Sequence, residues 1–187
     1  DLGNVEGIES ASFQTDIESV NLEFIPKPQW AKNYGRDRYG LFADIDFQGI
    51  NQRFRYIAPG QFLMGSPKDE CERREDETQH SVIITKGYWL AETTVTQELW
   101  KALMRDNPSR FKGNDRPVEQ ISWKDAGQFI KIVNQNVRSL LSSIEFRFPT
   151  EAEWEYACRA GTKTPFHFGE NLSTDQANYN GNYPYYD

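Results

Sequence analysis

Cys71, Cys158, His80 and His167 are the cysteines and histidines of this 187-residue sequence, and they bound its metal chemistry. Soft thiolates select copper(I) and zinc, and such a site needs several ligands held together. Cys71 stands in the charged run DECERRED and Cys158 in EYACRAG, neither with the local spacing of a metal site. A single cysteine pair is no disulfide framework, so both read as unpaired thiols in a reducing compartment. Two histidines cannot build a three-histidine facial iron site, and His80 reads as a hydrogen-bonding residue at a strand end. Asp69, Glu70, Glu72, Glu75, Asp76 and Glu77 are numerous enough for calcium. They lack the alternation and central glycine of an EF-hand loop, and read as a solvated loop. Glu151, Glu153 and Glu155 suit the positive end of a helix dipole. No nucleophile–base pair, phosphate loop or paired-carboxylate motif emerges, so no residue is assigned to catalysis or to a copper or iron cofactor.

Bulk properties exclude further classes. The net charge of −7 argues against nucleic-acid binding, because a phosphate backbone demands basic patches. No apolar run approaches the roughly 20 residues of a membrane helix, and a cytoplasmic location is expected. The length supports one domain with a sizeable core. Hydrophobic residues make up 37% but aromatic residues 14%, so aromatic packing is expected in place of aliphatic layers. Asp1 is not an initiator residue, and upstream sequence is expected.

The elements that must position any site follow in chain order. Residues 1–28 are polar and acidic and read as a linker or N-terminal arm, closed by Pro26-Lys27-Pro28. A domain is expected over 29–187. Trp30, Tyr34 and Tyr39 are interleaved with Gly35 and Gly40, which reads as a segment packed on the domain or as a ligand loop. Leu41, Ala43, Ile45 and Phe47 alternate with Asp44 and Asp46 as in a strand. Phe54, Tyr56 and Ala58 alternate up to Pro59-Gly60, where a turn with Gly60 at positive φ is expected to return the chain through 62–64. A second pair is expected from His80, Val82 and Ile84 with Tyr88 and Leu90, across Lys86-Gly87. Thr94 or Thr96 caps a helix carrying Leu99, Trp100, Leu103 and Met104, ended by Asn107-Pro108-Ser109. Ser122, with Asp125 as capping acid, opens an amphipathic helix bearing Ala126, Phe129, Ile130, Val133 and Val137, which frays over 134–143. The alternation of Phe146 and Phe148 leads into a third helix. There Thr150 and Glu153 form a capping box, and Gly161 is the expected left-handed C-terminal cap.

Several of these segments carry a family resemblance. RFPTEAEWEYACRAGT (147–162) resembles the R-L-P-T-E-A-E-W-E-Y-A segment of the formylglycine-generating enzyme, or sulfatase-modifying factor, family, with Phe148 in place of leucine. The run P-V-x-x-I-S-W-x-D-A (117–126), the run F-x-M-G-S (62–66), and H-x-V followed by E-x-x-V-T are similar to that family's motifs in order. The segment W-x-x-x-Y-G-x-D-x-Y-G-L (30–41) is similar to the lead-in of this domain in multidomain bacterial proteins.

The resemblance implies an α+β class and an irregular C-type-lectin-like fold, with short antiparallel hairpins and two or three helices. The 146–162 stretch is also the strongest local helix signal, and on that ground it reads as scaffold rather than chemistry. The resemblance also implies a structural calcium taking the Asn178 side-chain oxygen and the Tyr179 carbonyl, although Asn180-Gly181 turn chemistry accounts for this stretch equally well. Calcium takes six to eight oxygens, so the other ligands would lie beyond Asp187. The family segments G-L-x-D-M-x-G-N-V-W-E-W and R-G-G-S-W and the copper-binding cysteine pair are absent, so the resemblance covers the first half of a family domain. Two functions are expected: a non-catalytic scaffold or recognition domain of a larger bacterial protein or complex, or the N-terminal half of a metal-dependent oxidase. The oxidase would be copper-dependent and formylglycine-generating, or an iron-dependent sulfoxide synthase. Trp123, Phe129, Ile130, Val133, Trp154 and Tyr156 are expected to need cover from a complementary C-terminal segment or a partner protein, without which residues 1–187 should fold poorly or aggregate.

Overall fold

The structure, a computed structural model, describes residues 11–14, 19–22, 25–138, 145–182 and 185. The remainder of the expected arm, 139–143 of the expected fraying, and residues 183–184 and 186–187 lie outside them, whereas 134–136, also expected to fray, are regular helix. Among the described residues the fold is α+β, with eight antiparallel strands and three helices. The chain divides into two units, one formed by 26–57 and 88–148, the other by 1–25, 58–87 and 149–187.

The first unit holds a sheet in the order β3 (Asn33–Asp37), β4 (Gly40–Phe47), β5 (Ile50–Ile57), β8 (Tyr88–Ala91). The β4–β5 hairpin turns on Gln48-Gly49, both at positive φ (55° and 90°). That is the turn whose twist matches the flanking strands, and it sets Asp44 opposite Arg53. Leu41, Ala43, Ile45 and Phe47 are buried as the alternation requires. Helix α1 (Gln97–Met104) starts at Thr96, whose side chain accepts from the Leu99 amide. It stops at Arg105, held left-handed at φ 71°, earlier than the Asn107-Pro108 signal suggests. The side chain following Arg105 fixes this ending, since Trp100 Nε1 donates to Asp106 Oδ1 at 3.0 Å. Helix α2 (Trp123–Arg138) is capped by Ser122, whose Oγ accepts from the Asp125 amide while Asp125 accepts from the Ser122 amide at 2.9 Å. Leu99, Trp100 and Leu103 meet Phe129, Val133 and Val137 and the strand residues Ile45, Phe47 and Phe54 in one core. Trp100 and Phe129 stack with ring centroids 5.2 Å apart. Trp30 lies edge-on to both Phe54 and Trp89, so the aromatic lead-in packs on the sheet.

The second unit holds a two-stranded ribbon of β6 (Gly60–Met64) and β7 (His80–Ile84), helix α3 (Glu151–Arg159), and, within the N-terminal arm, a two-stranded sheet of β1 (Ala11–Gln14) and β2 (Ser19–Leu22). Strand pairing departs from the sequence expectation here. Pro59-Gly60 makes no hairpin turn: β5 pairs with β4 and β8, and β6 pairs with β7. Likewise β7 and β8 do not pair across Lys86-Gly87. Gly60 is not among the positive-φ glycines. It is required by close approach, because the Tyr156 hydroxyl stands where a Cβ would project. Local alternation finds strands but not partners, which are chosen by packing.

Candidate functional site

Helix α3 is built as its sequence dictates. The Thr150 hydroxyl accepts from the Glu153 amide, and Glu153 reaches back to the Thr150 amide at 2.8 Å. The left-handed cap falls on Ala160 at φ 47°, with Gly161 following at φ 87°, one residue before the expected position. This geometry puts Glu155 and Arg159, one helical turn apart, on the same face. Glu155 Oε1 accepts from the Gly65 amide at 2.9 Å and from Arg159 Nε at 2.8 Å. Arg159 Nη2 donates to the Gly65 carbonyl at 2.9 Å. Gly65 sits at φ 86°, with Thr78 O 2.8 Å from where a Cβ would be, so conformation and space both demand glycine. Helix α3 thus grips both peptide groups of the glycine in F-x-M-G-S. Phe62 packs on the Tyr156 ring at 5.2 Å, and burial pushes the Tyr156 hydroxyl pKa up.

The loop after Gly65 carries the acidic run. Ser66 Oγ donates to Glu77 at 2.8 Å, Arg73 donates to the Ser66 carbonyl, and Arg74 lies 3.4 Å from Asp76. Among the described residues no three or more His, Cys, Asp or Glu side chains gather as a metal-holding group. The carboxylates of this loop are partly used in its own fold. His80 Nδ1 lies 2.8 Å from the Thr78 carbonyl, the strand-end role read from sequence. His167 packs edge-on to Phe168 at 4.3 Å. Cys71 is half-buried and Cys158 exposed, both as free thiols. The Cys71 carbonyl accepts from the Tyr185 hydroxyl at 2.7 Å.

Asn178 and Tyr179 lie in an irregular stretch. The Tyr179 hydroxyl donates to Leu172 O at 2.8 Å, and the Asn178 side chain is exposed. An amide oxygen and a peptide carbonyl are hard donors of the type calcium takes. They fit in kind, and two donors fall short in number.

The first unit contains a polar arrangement that the sequence reading did not single out. On the sheet face opposite the core, Asn33, Asp44 and Arg53 form one cross-strand rung, and Phe42 and Arg55 belong to the next. Arg53 grips Asp44 with two bonds at 2.7 and 3.1 Å. Arg53 also lies 3.8 Å over the Phe42 ring. Arg55 bridges Asp37 and Glu92, each at 2.7 Å. The Arg53 guanidinium, then Asn33, hold the Asp44 carboxyl below its ordinary range against the opposing cost of burial. Asp44 and Arg53 stand equally far on either side of the Gln48-Gly49 turn, and that is the signal that could have revealed the pair.

Gln97 was missed for a different reason: its partners are scattered along the loop after α1. It is 1% exposed. Its Nε2 donates to Phe111 O and Pro117 O at 2.9 and 3.1 Å, and its Oε1 accepts from Asn107 Nδ2 and the Gly113 amide at 2.9 and 3.1 Å. All four hydrogen-bonding positions of the amide are filled. Glu119 completes the loop by accepting from the Arg110 and Phe111 amides.

Of the side chains expected to need cover, Phe129 and Val133 are buried, whereas Trp123 is 75% and Trp154 58% exposed. Trp123 stacks on Phe148 with centroids 3.9 Å apart.

Comparison with known proteins agrees with this anatomy. The profile of the sulfatase-modifying factor enzyme 1-like domain matches residues 48–187. The chaperone protein LppX of Paenibacillus barcinonensis is 32% identical over an alignment covering 44% of this chain and 39% of that protein. The formylglycine-generating enzyme of Mus musculus is 28% identical over 54% of this chain and 23% of its own length. Among solved structures, Treponema denticola variable protein 1 aligns with a TM-score of 0.55 at 24% identity, covering 67% of this chain and 59% of that one. PvdO from Pseudomonas aeruginosa aligns with a TM-score of 0.55 at 20% identity, over 73% and 54%. The chain therefore spans less than two thirds of each of these relatives.

Proposed function

Because the chain belongs to the sulfatase-modifying factor enzyme 1-like domain family, we propose that it serves as a non-catalytic scaffold or recognition domain of a larger bacterial multidomain protein or complex. The observation that carries this reading is the use made of the family-like motif side chains. Glu155 and Arg159 bind Gly65, Thr150 and Glu153 bind each other, and Ser122 and Asp125 do likewise. These groups stabilise backbone and are committed to it. In this reading the exposed Trp123–Phe148 stack and Trp154 are the surfaces that a complementary C-terminal segment or a partner protein covers. Asn178 and Tyr179 contribute two donors to a structural calcium completed by other sequence. The two free thiols suit a reducing cytoplasm; among the described residues no helix is long and apolar enough to cross a membrane.

The test is turnover of a cysteine-containing peptide by the purified chain with copper(I) and oxygen, followed by mass spectrometry. No product is expected, and oxidation of the peptide cysteine overturns the proposal. A second reading, the N-terminal half of a copper- or iron-dependent oxidase, is favoured by the 28% identity to the mouse formylglycine-generating enzyme. There the metal-holding residues belong to sequence beyond Asp187. A downstream reading frame with a cysteine pair supports the copper enzyme, one with a histidine-bearing loop supports the iron enzyme, and neither supports recognition.

A further inference from the structure

Asn180 is the one asparagine in the sequence followed by glycine. Asn180, Gly181 and Asn182 are all exposed, and Asn180 Oδ1 accepts from the Asn182 amide at 3.2 Å in an Asx turn. Gly181 is fixed as glycine by space, since Thr174 Cγ2 lies 2.7 Å from where a Cβ would sit. From this geometry we propose that Asn180 is a site of spontaneous deamidation, converting the asparagine to aspartate and isoaspartate in the folded protein.

The chemistry follows from the two residues. The Gly181 backbone nitrogen, on losing its proton, bonds to Asn180 Cγ. The Cγ–Nδ2 bond breaks and ammonia leaves, closing a five-membered succinimide. Water then opens the ring. Cleavage between Cγ and the Gly181 nitrogen gives aspartate, and cleavage at the Asn180 main-chain carbonyl gives isoaspartate. The sum is one water consumed and one ammonia released, with no redox change. Three features favour the step here. The missing Cβ leaves the nucleophilic nitrogen unshielded. The hydrogen bond from Asn182 polarises the carboxamide carbonyl under attack. Exposure admits the water and base that the sequence of steps requires. Asn171, Asn178 and Asn182 are also exposed, but none precedes a glycine, and a Cβ on the following residue hinders attack by its nitrogen.

The experiment incubates the chain in mildly alkaline buffer and follows each asparagine by peptide mass mapping, with isoaspartate quantified by enzymatic methyl transfer. Parallel samples are the wild type in urea and the variants Asn180→Gln and Gly181→Ala. Conversion at Asn180 is expected to run several-fold ahead of Asn171, Asn178 and Asn182. Asn180→Gln should remove the signal, and the folded chain should convert at least as fast as the unfolded one. Equal rates at all four asparagines overturn the proposal. So does a folded chain whose Asn180 survives several-fold longer than in urea, because the turn then protects rather than promotes. Gly181→Ala should slow the step; an unchanged rate there also counts against the mechanism.

Discussion

Replacing Arg159 with methionine tests whether helix α3 is scaffold. Methionine keeps most of the apolar stem while removing the guanidinium. The substitution deletes the bonds to Glu155 at 2.8 Å and Gly65 O at 2.9 Å, and the long one to Thr164 O at 3.4 Å. Bonds to charged groups contribute roughly 1.5–3 kcal/mol each. Arg159 and Glu155 are 16% and 22% exposed, so solvent screening takes part of that. The long third bond adds little. The expected loss is therefore about 2–4 kcal/mol, a large share of a total stability of about 5–15 kcal/mol. Arg159→Lys should recover less than half, since a point charge cannot span separate acceptors as the planar fork does. Urea unfolding gives the free energy, and amide hydrogen exchange at Gly65 reports the local effect. Glu155→Gln and the double variant give the coupling between the two side chains. A loss below about 1 kcal/mol, with Gly65 exchange unchanged, refutes the assignment of this pair to anchoring F-x-M-G-S.

Three further outcomes are expected. Gln97→Leu leaves two carbonyls and two donors without the partner that this 1%-exposed side chain supplies. It should cost about 3 kcal/mol or more, measured by urea unfolding, and should loosen 107–119 by hydrogen exchange. Asp44 is held below its ordinary pKa first by Arg53, so its folded value lies under its unfolded value of about 3.9. Its stabilisation is present above that unfolded value and is lost as pH falls through the folded one; an acid titration of unfolding free energy should show this, and Asp44→Asn should flatten that limb. Gly60→Ala collides with the Tyr156 hydroxyl and should cost about 1–3 kcal/mol, with part of the loss restored by adding Tyr156→Phe; equal stability of the single and double variants would count against the contact.

What the sequence determined by itself is what short-range physics determines. The capping boxes at Ser122 and Thr150, the amphipathic face of α2 and the alternation of 41–47 depend on groups a few residues apart, and all are realised. The 150–159 helix and its caps were legible because their signals are local and redundant. The tertiary structure decided which strands meet. Pro59-Gly60 has the composition of a turn, yet Gly60 is glycine to admit Tyr156, nearly a hundred residues away in the chain. Gln97 read as an unremarkable polar position in a helix, because its four partners span the loop that it organises. The Asp44–Arg53 rung stood between these extremes. Its charges alternate visibly, but only the turn at Gln48-Gly49 fixes the register that makes them partners. Local signals settle elements because few residues compete for each hydrogen bond. Pairing and burial are settled by packing, where every residue of the chain competes for each contact.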